Sequence, residues 1–209
     1  AFENRTKGNE PIRRAFAETV RDCSQWIARR NGFRTAAVPE SAFDPLYSTW
    51  YAYLQDVHDK ELEEEARLAA SLGMKTMILD DGWQKEDSKT FYSATGDWMP
   101  VASRFPDMKA HVAAVHKAGL KYMLWLGVPL MGVEAKSFPR FKDKLLKQPG
   151  GGSGGVGTLD PRFPEVREYL ISTYERVIGE WDFDGVKLDF IDSFQLPAKD
   201  PALADNYAG

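Results

Sequence analysis

Four times along this chain a short apolar run ends in polar and aromatic residues and gives way to a helical pattern. The runs start near Leu46 (LYSTWYAY), Lys75 (KTMIL, then DDGW), Lys121 (KYMLWL, then GVP) and Gly185 (GVKLDF). Strands alternating with helix-length segments need crossover connections, and crossovers lay successive strands parallel in one sheet. The helices follow from apolar spacing and stop signals. Residues 59–72 turn Leu62, Ala66, Ala69 and Ala70 inward and stop at Gly73. Residues 107–118 stop at Gly119, and residues 164–181 lead to the last run. Earlier, residues 11–30 space Ile12, Phe16, Val20, Cys23, Trp26 and Ile27 by threes and fours, with Asn31-Gly32 as the stop. A Pro-containing stretch over 38–45 then leads into the first run, read as a strand over 46–53.

In the last three runs the polar and aromatic residues gather at the C-terminal end, the face that carries the active site in a (β/α)8 TIM barrel. The fold class is therefore α/β, a TIM barrel. A complete barrel takes ~250 residues, and only about the first four βα units are present among these 209 residues. Residues 1–45 are read as a linker helix and lead-in, and residues 46–209 as the first half of the barrel, truncated. Half a barrel has two open edges, so the expected partner is the remaining barrel half, from the same parent chain or a second copy. The tract GGGSGGVG at 150–157 has the composition of a flexible linker, natural or engineered. It lacks the Lys-Ser/Thr ending of a phosphate loop.

Composition excludes other classes. With 27 basic and 31 acidic residues the net charge is −4, and no basic block offers itself to nucleic acid. No apolar run approaches the ~20 residues of a membrane span, so no membrane partner is expected and the compartment stays open. Cys23 is the only cysteine and forms no disulfide within the chain.

Two constellations carry chemistry. In GVKLDF, strand alternation points Lys187 and Asp189 into one space and Val186, Leu188 and Phe190 to the other, under outer helices. A lysine cation there lowers the carboxylate's pKa and keeps it ionised, as a nucleophilic aspartate needs; the plain alternative is a buried structural ion pair. In DDGW, Asp80 and Asp81 leave an apolar strand beside Trp83. Adjacent carboxylates accept hydrogen bonds from vicinal hydroxyls, and an indole offers a face to a pyranose ring, so the three form a sugar subsite; the alternative is a strand-end turn that caps local amides. A metal site is not expected, because no further acid or His follows at ligand spacing. Trp50, Asp97, Trp98 and Trp125 add aromatic and acidic groups near the same face. His58, His111 and His116 receive no role, the last two being read as solvent-facing on a helix.

STWYAY, ILDDGWQ, GDW followed by RFPDM, HKAGLKYMLWL, LDPRFPEVREYL and DGVKLDF, in this order, resemble the catalytic barrel of glycoside hydrolase family 36, the alpha-galactosidase (melibiase) group that also holds raffinose-synthase-like members. The likeness runs from about residue 47 to 192. It implies Asp189 as nucleophile, Lys187 on sugar hydroxyls, Asp80 and Asp81 on galactose hydroxyls, and Trp50, Trp125 and the Asp97-Trp98 loop lining the pocket. It implies no cofactor. The family's general acid/base comes from a later strand that no segment here matches. Two departures touch the pocket: Gly127-Val128-Pro129 stands where a Glu-Pro-Glu-like stretch is common, and Ile191 where Asn is common. The implied activity is retaining hydrolysis of alpha-galactosides, present here as a fragment. The alternatives are a raffinose-synthase-like transglycosylase, and a non-catalytic half-barrel scaffold or carbohydrate-binding remnant.

Overall fold

The computed structural model describes residues 6–7, 10–11, 16–34, 37–86, 92–150 and 154–194. The chain divides into two compact units, Ala1–Ala42 and Phe43–Gly209. In the first, β1 (Thr6–Lys7) pairs antiparallel with β2 (Glu10–Pro11), and α1 spans Phe16–Asn31. The helix expected from residue 11 starts later because Pro11 belongs to β2; Ile12 lies outside the described residues. Its stop is as read: Gly32 takes φ 69°, its N–H donates to Arg29 O, and Phe33 N–H donates to Ala28 O at 2.9 Å. That pair of bonds satisfies two carbonyls that the helix end would otherwise orphan.

The second unit runs β3 (Leu46–Ser48), α2 (Trp50–Tyr53), α3 (Asp59–Ser71), β4 (Thr76–Leu79), α4 (Met108–Lys117), β5 (Lys121–Gly127), β6 (Leu130–Gly132), α5 (Phe138–Phe141), β7 (Leu145–Lys147), β8 (Val156–Leu159), α6 (Pro164–Glu175) and β9 (Gly185–Asp189). The strands β3-β4-β5-β9 form one parallel sheet in that order. Met77, Leu79, Tyr122, Leu124 and Leu126 alternate onto one face and are fully buried in a core with Leu62 and Ala66 of α3 and Val112 and Val115 of α4. Each large apolar side chain so buried contributes about 1.5–3 kcal/mol. Helices α3 and α4 start and stop where the sequence says. Asp107 caps α4 by accepting from Ala110 N–H at 2.9 Å, and Gly73 and Gly119, both at φ 92°, close α3 and α4.

Three expectations change. The first strand ends at Ser48, not residue 53: the Thr49 carbonyl accepts from Ala52 and Tyr53 N–H, which rolls the chain into α2. The helix from residue 164 is α-helical only to Glu175 and continues as a π-helical turn over Arg176–Glu180. The segment after β5 is not merely a long loop. It holds an antiparallel sheet, β6-β8-β7, packed with α6 through Met131, Phe141, Leu159 and Val166. The linker reading of the glycine tract fails where β8 begins inside it. A Cβ on Gly157 would stand 2.8 Å from the Leu145 side chain and 2.9 Å from Lys147 O, so glycine lets β7 and β8 close. Residues 151–153 lie outside the described residues.

Candidate active site

Parallel pairing sets Trp125 beside Lys187 and Gly127 beside Asp189, with Ile78 beside both Ser48 and Met123. Partners in a ladder share a face, so Ser48, Trp125, Lys187 and Asp189 line the face turned away from α3 and α4. Asp80, two residues past Ile78, joins them. Lys187 Nζ donates to Asp80 Oδ2 at 2.8 Å and lies 3.7 Å from Asp189 Oδ2. Ser48 Oγ is 3.5 Å from the same Asp80 oxygen. Trp125 Nε1–H donates to Asp189 Oδ2 at 2.9 Å, and Phe190 N–H donates to Asp189 Oδ1 at 2.9 Å. Asp80 is buried, whereas the Asp189 side chain is 42% exposed. One carboxylate is an anchor for the ammonium; the other is reachable.

Asp189 is held below the ordinary carboxylate value of 3.8. Partial burial pushes it up, but the Trp125 indole, the Phe190 amide and the Lys187 ammonium together outweigh that push. The result is an exposed anion whose lone pairs are oriented by fixed donors, the state a carboxylate nucleophile requires.

Asp81 does not join the cluster. It points into a buried pocket of its own, accepting from Gln55 Nε2 and from Gln84 Nε2 at 2.7 Å, with Lys85 Nζ 3.8 Å away. Trp83 offers no face to a sugar: it is fully buried, donates Nε1–H to Trp125 O at 3.0 Å and packs on Trp98 and Trp181. Trp98 is likewise core, edge-on to Trp125. Asp97 accepts from the amides of Lys136 and Ser137 at 2.7 and 2.9 Å, so it caps a loop rather than lining a pocket. Asp81, Trp83, Asp97 and Trp98 are thus all engaged by protein partners, with both indoles packed inward. Trp50 is half-buried at the start of α2. Phe190, expected beside Leu188, leaves the strand at φ 57° and packs 6.3 Å from the Trp125 ring instead. Leu188 itself remains 42% exposed rather than covered by a helix.

Several residues of this region make contacts that the sequence does not announce. Arg104, buried, donates to the carbonyls of Gln55, Gly82 and Glu86 and so ties the turn after β4 to the one after α2. That turn needs glycine at 82, where φ is 117° and a Cβ would strike Gln55 O. The Tyr92 ring stacks on Trp125 at 6.5 Å and stands edge-on to Phe190 at 5.4 Å. His111, read as solvent-facing, is buried between Glu63 and Tyr122, whose hydroxyl is 3.0 Å from its Nε2. His116 Nε2 lies 2.8 Å from Asp184 Oδ2. The hydrophobic spacing of α4 places both histidines, but nothing local announces their partners from α3, β5 and the turn before β9. Among the described residues no group of three or more acidic, His or Cys side chains is placed to hold a metal ion, and no helix is long and apolar enough to cross a membrane.

A parallel α/β sheet whose strand ends gather two carboxylates, an ammonium and an indole defines a class: α/β proteins with polar chemistry at the carboxyl end of the sheet. A family model described as Melibiase matches residues 23–200, and the chain belongs to that family. Alpha-galactosidase 1 of Pediococcus pentosaceus is 28% identical over 150 residues, covering 69% of this chain and 20% of the relative. The crystal structure of the alpha-galactosidase from Lactobacillus brevis superposes with a TM-score of 0.62 at 28% identity, over 69% of this chain and 20% of that one. The GH36 alpha-galactosidase AgaA of Geobacillus stearothermophilus, solved in complex with raffinose, shares the fold with a TM-score of 0.63 at 24% identity, over 69% of this chain and 21% of its own. The chain thus spans about a fifth of the length of the relatives it matches.

Proposed function

We propose that this chain carries the nucleophile and part of the sugar-binding face of a retaining alpha-galactoside hydrolase. The observation that carries the reading is the bridge Asp80–Lys187–Asp189 across β4 and β9, with Trp125 fixing the outer carboxylate. Asp189 attacks the anomeric carbon; the bond to the leaving oxygen breaks, and a glycosyl-enzyme ester forms. A second carboxyl, ~5–5.5 Å away in a retaining site, protonates the leaving oxygen as that bond breaks and later takes a proton from the water that hydrolyses the ester. In this reading that group comes from a later strand, residues 1–45 are the lead-in, and residues 46–209 form the first four units of a (β/α)8 barrel. The remaining half comes from the same parent chain or a second copy. Membership of the Melibiase family, and its relatives' alpha-galactosidase names, support alpha-galactosides as substrate.

The test uses a galactosyl fluoride, whose leaving group departs without an acid. Mass spectrometry of the labelled chain is expected to find the sugar on Asp189. Asp189→Asn removes the label, with a loss of about 10⁴-fold or more in labelling rate, and an unactivated galactoside is turned over negligibly by either protein. A label on another side chain, or one that survives the substitution, refutes the assignment.

A further inference from the structure

The residue after Asp189 has a backbone conformation that side chains seldom take. Phe190 stands at φ 57° and ψ 22°, where a Cβ crowds the following carbonyl and which glycine, not phenylalanine, adopts freely. Two contacts follow from that turn. The Phe190 N–H points back along the chain and donates to Asp189 Oδ1 at 2.9 Å. The ring, which strand alternation would send to the opposite side of the sheet, comes round to stand edge-on to Trp125 at 6.3 Å and to Tyr92 at 5.4 Å. The Trp125 indole in turn donates to Asp189 Oδ2 at 2.9 Å. One backbone turn thus serves both carboxylate oxygens, the first directly and the second through a packed ring. Backbone in a sparsely populated region persists only where its surroundings hold it there, and the seat of the ring does so. Gly127 pairs with Asp189 across β5 and β9, so a side chain at 127 would enter the same space. A Cβ there would stand 3.3 Å from Phe190 Cδ2 and 3.1 Å from Trp125 Cη2, so glycine leaves the room that the two rings fill.

We propose that Phe190 is a positioning residue for Asp189: its ring, seated over Gly127 against Trp125 and Tyr92, holds the left-handed turn that aims the Phe190 amide at Oδ1. This deepens the glycosidase reading and rests on it for the role of Asp189, whereas the turn and its amide contact involve no sugar. A carboxylate held at one oxygen by an amide and at the other by an indole has its plane fixed, and attack then needs no reorientation. The charged groups facing it are Lys187, 3.7 Å away, and Asp80, which Lys187 bridges. The variants below alter neither.

Phe190→Ala and Phe190→Gly separate the turn from packing. Both delete the ring, but only glycine takes positive φ without strain. Amide exchange at position 190 and titration of the Asp189 carboxyl, both read by NMR on the 209-residue chain, are the measurements. Corrected for residue type, the amide is expected to exchange at least about tenfold faster than wild type in Phe190→Ala, and no more than about threefold faster in Phe190→Gly. The Asp189 carboxyl is expected to titrate at higher pH in the alanine variant than in the glycine variant, having lost a donor to its anion. A ring that only fills space gives the two variants equal effects. Equal effects, a larger effect in glycine, or none in either overturns the proposal. The Ala118 amide, bonded to Ala114 O at the close of α4, reports on folding. Should it lose protection in a variant, the wild type decides: its Phe190 amide proton is expected to shift in step with the Asp189 titration, and an amide indifferent to that titration overturns the contact. Labelling by the galactosyl fluoride is the second arm, expected to be at least about tenfold slower in Phe190→Ala than in Phe190→Gly. A wild type that takes no label strikes the glycosidase reading and leaves the turn to be judged by the amide. Equal labelling rates in the two variants, with the amide difference intact, remove the positioning role.

Discussion

At Asp189 three donors of different kind act on one carboxylate, and the direction in which they act makes a prediction. Against the push of partial burial, the Trp125 indole, the Phe190 amide and the Lys187 ammonium, the last through both its charge and a hydrogen bond, each hold the group below 3.8. A carboxylate attacks only as its anion, so the acid limb of the labelling rate follows this ionisation. Removing a donor raises the pKa and moves that limb toward neutral pH. Trp125→Phe, which keeps an aromatic filler but deletes the N–H, and Lys187→Met are therefore each expected to move the limb toward neutral pH. The measurement is the pH profile of galactosyl fluoride labelling in each variant; a limb that stays in place removes the deleted donor as an influence on this ionisation. At 42% exposure the side chain of Asp189 is screened by solvent, so the prediction concerns its ionisation and not the stability of the fold.

Among the elements, the contact between α3, α4 and β5 contains a titrating group. His111 sits at its centre, lowered below 6.5 by burial, with Glu63 opposing that fall and the Tyr122 hydroxyl against its other nitrogen. Because the folded imidazole binds protons less readily than the unfolded one, the unfolded chain takes up more protons once pH drops below 6.5. The stability His111 contributes above that pH is lost as pH falls toward the folded value. His111→Gln is expected to flatten the change in urea midpoint between about pH 7.5 and about pH 5.5; an unaltered slope moves the pH dependence to other groups. The same contact shows what the sequence discloses and what it withholds. Val112, Val115 and the Gly119 stop repeat at helical spacing and fix α4, because that pattern is local. The partners of His111 come from positions 48 residues earlier and 11 later, and no spacing rule connects them. The cluster divides in the same way. Lys187 and Asp189 share a face by simple alternation along β9. Asp80 and Asp81 read identically in sequence and are both buried, yet they part company in their partners: Lys187 engages Asp80, whereas Gln55, Gln84 and Lys85 engage Asp81. Trp83 and Trp98 misled for a related reason: an indole close to a strand end in sequence packs on either side of the turn, and here both turn into the core.

On the scale of the second unit, the sheet has two ends. Among the described residues β3 pairs only with β4, and β9 only with β5. Each outer strand thus presents a row of main-chain donors and acceptors suited to another strand. Along β9 the alternation leaves Leu188 42% exposed on the side away from Asp189, while Leu46 on β3 is 45% exposed. An unpaired edge flanked by apolar side chains favours strand addition, whether by the rest of a barrel or by another copy. A charge on the edge opposes pairing at little cost to a half-exposed site, within about 0.5 kcal/mol for a surface substitution. Leu188→Lys is therefore expected to lower the association of the purified chain in sedimentation velocity, with the thermal midpoint little changed. Labelling of Asp189 is expected to persist, because the two side chains point to opposite faces of β9. Association that is unchanged in Leu188→Lys but lost in Leu46→Lys would assign the contact to the β3 edge. If neither substitution alters it, self-association through the sheet edges is excluded, and the apolar stripe of α1, where Phe16 is 85% exposed, becomes the surface to substitute next.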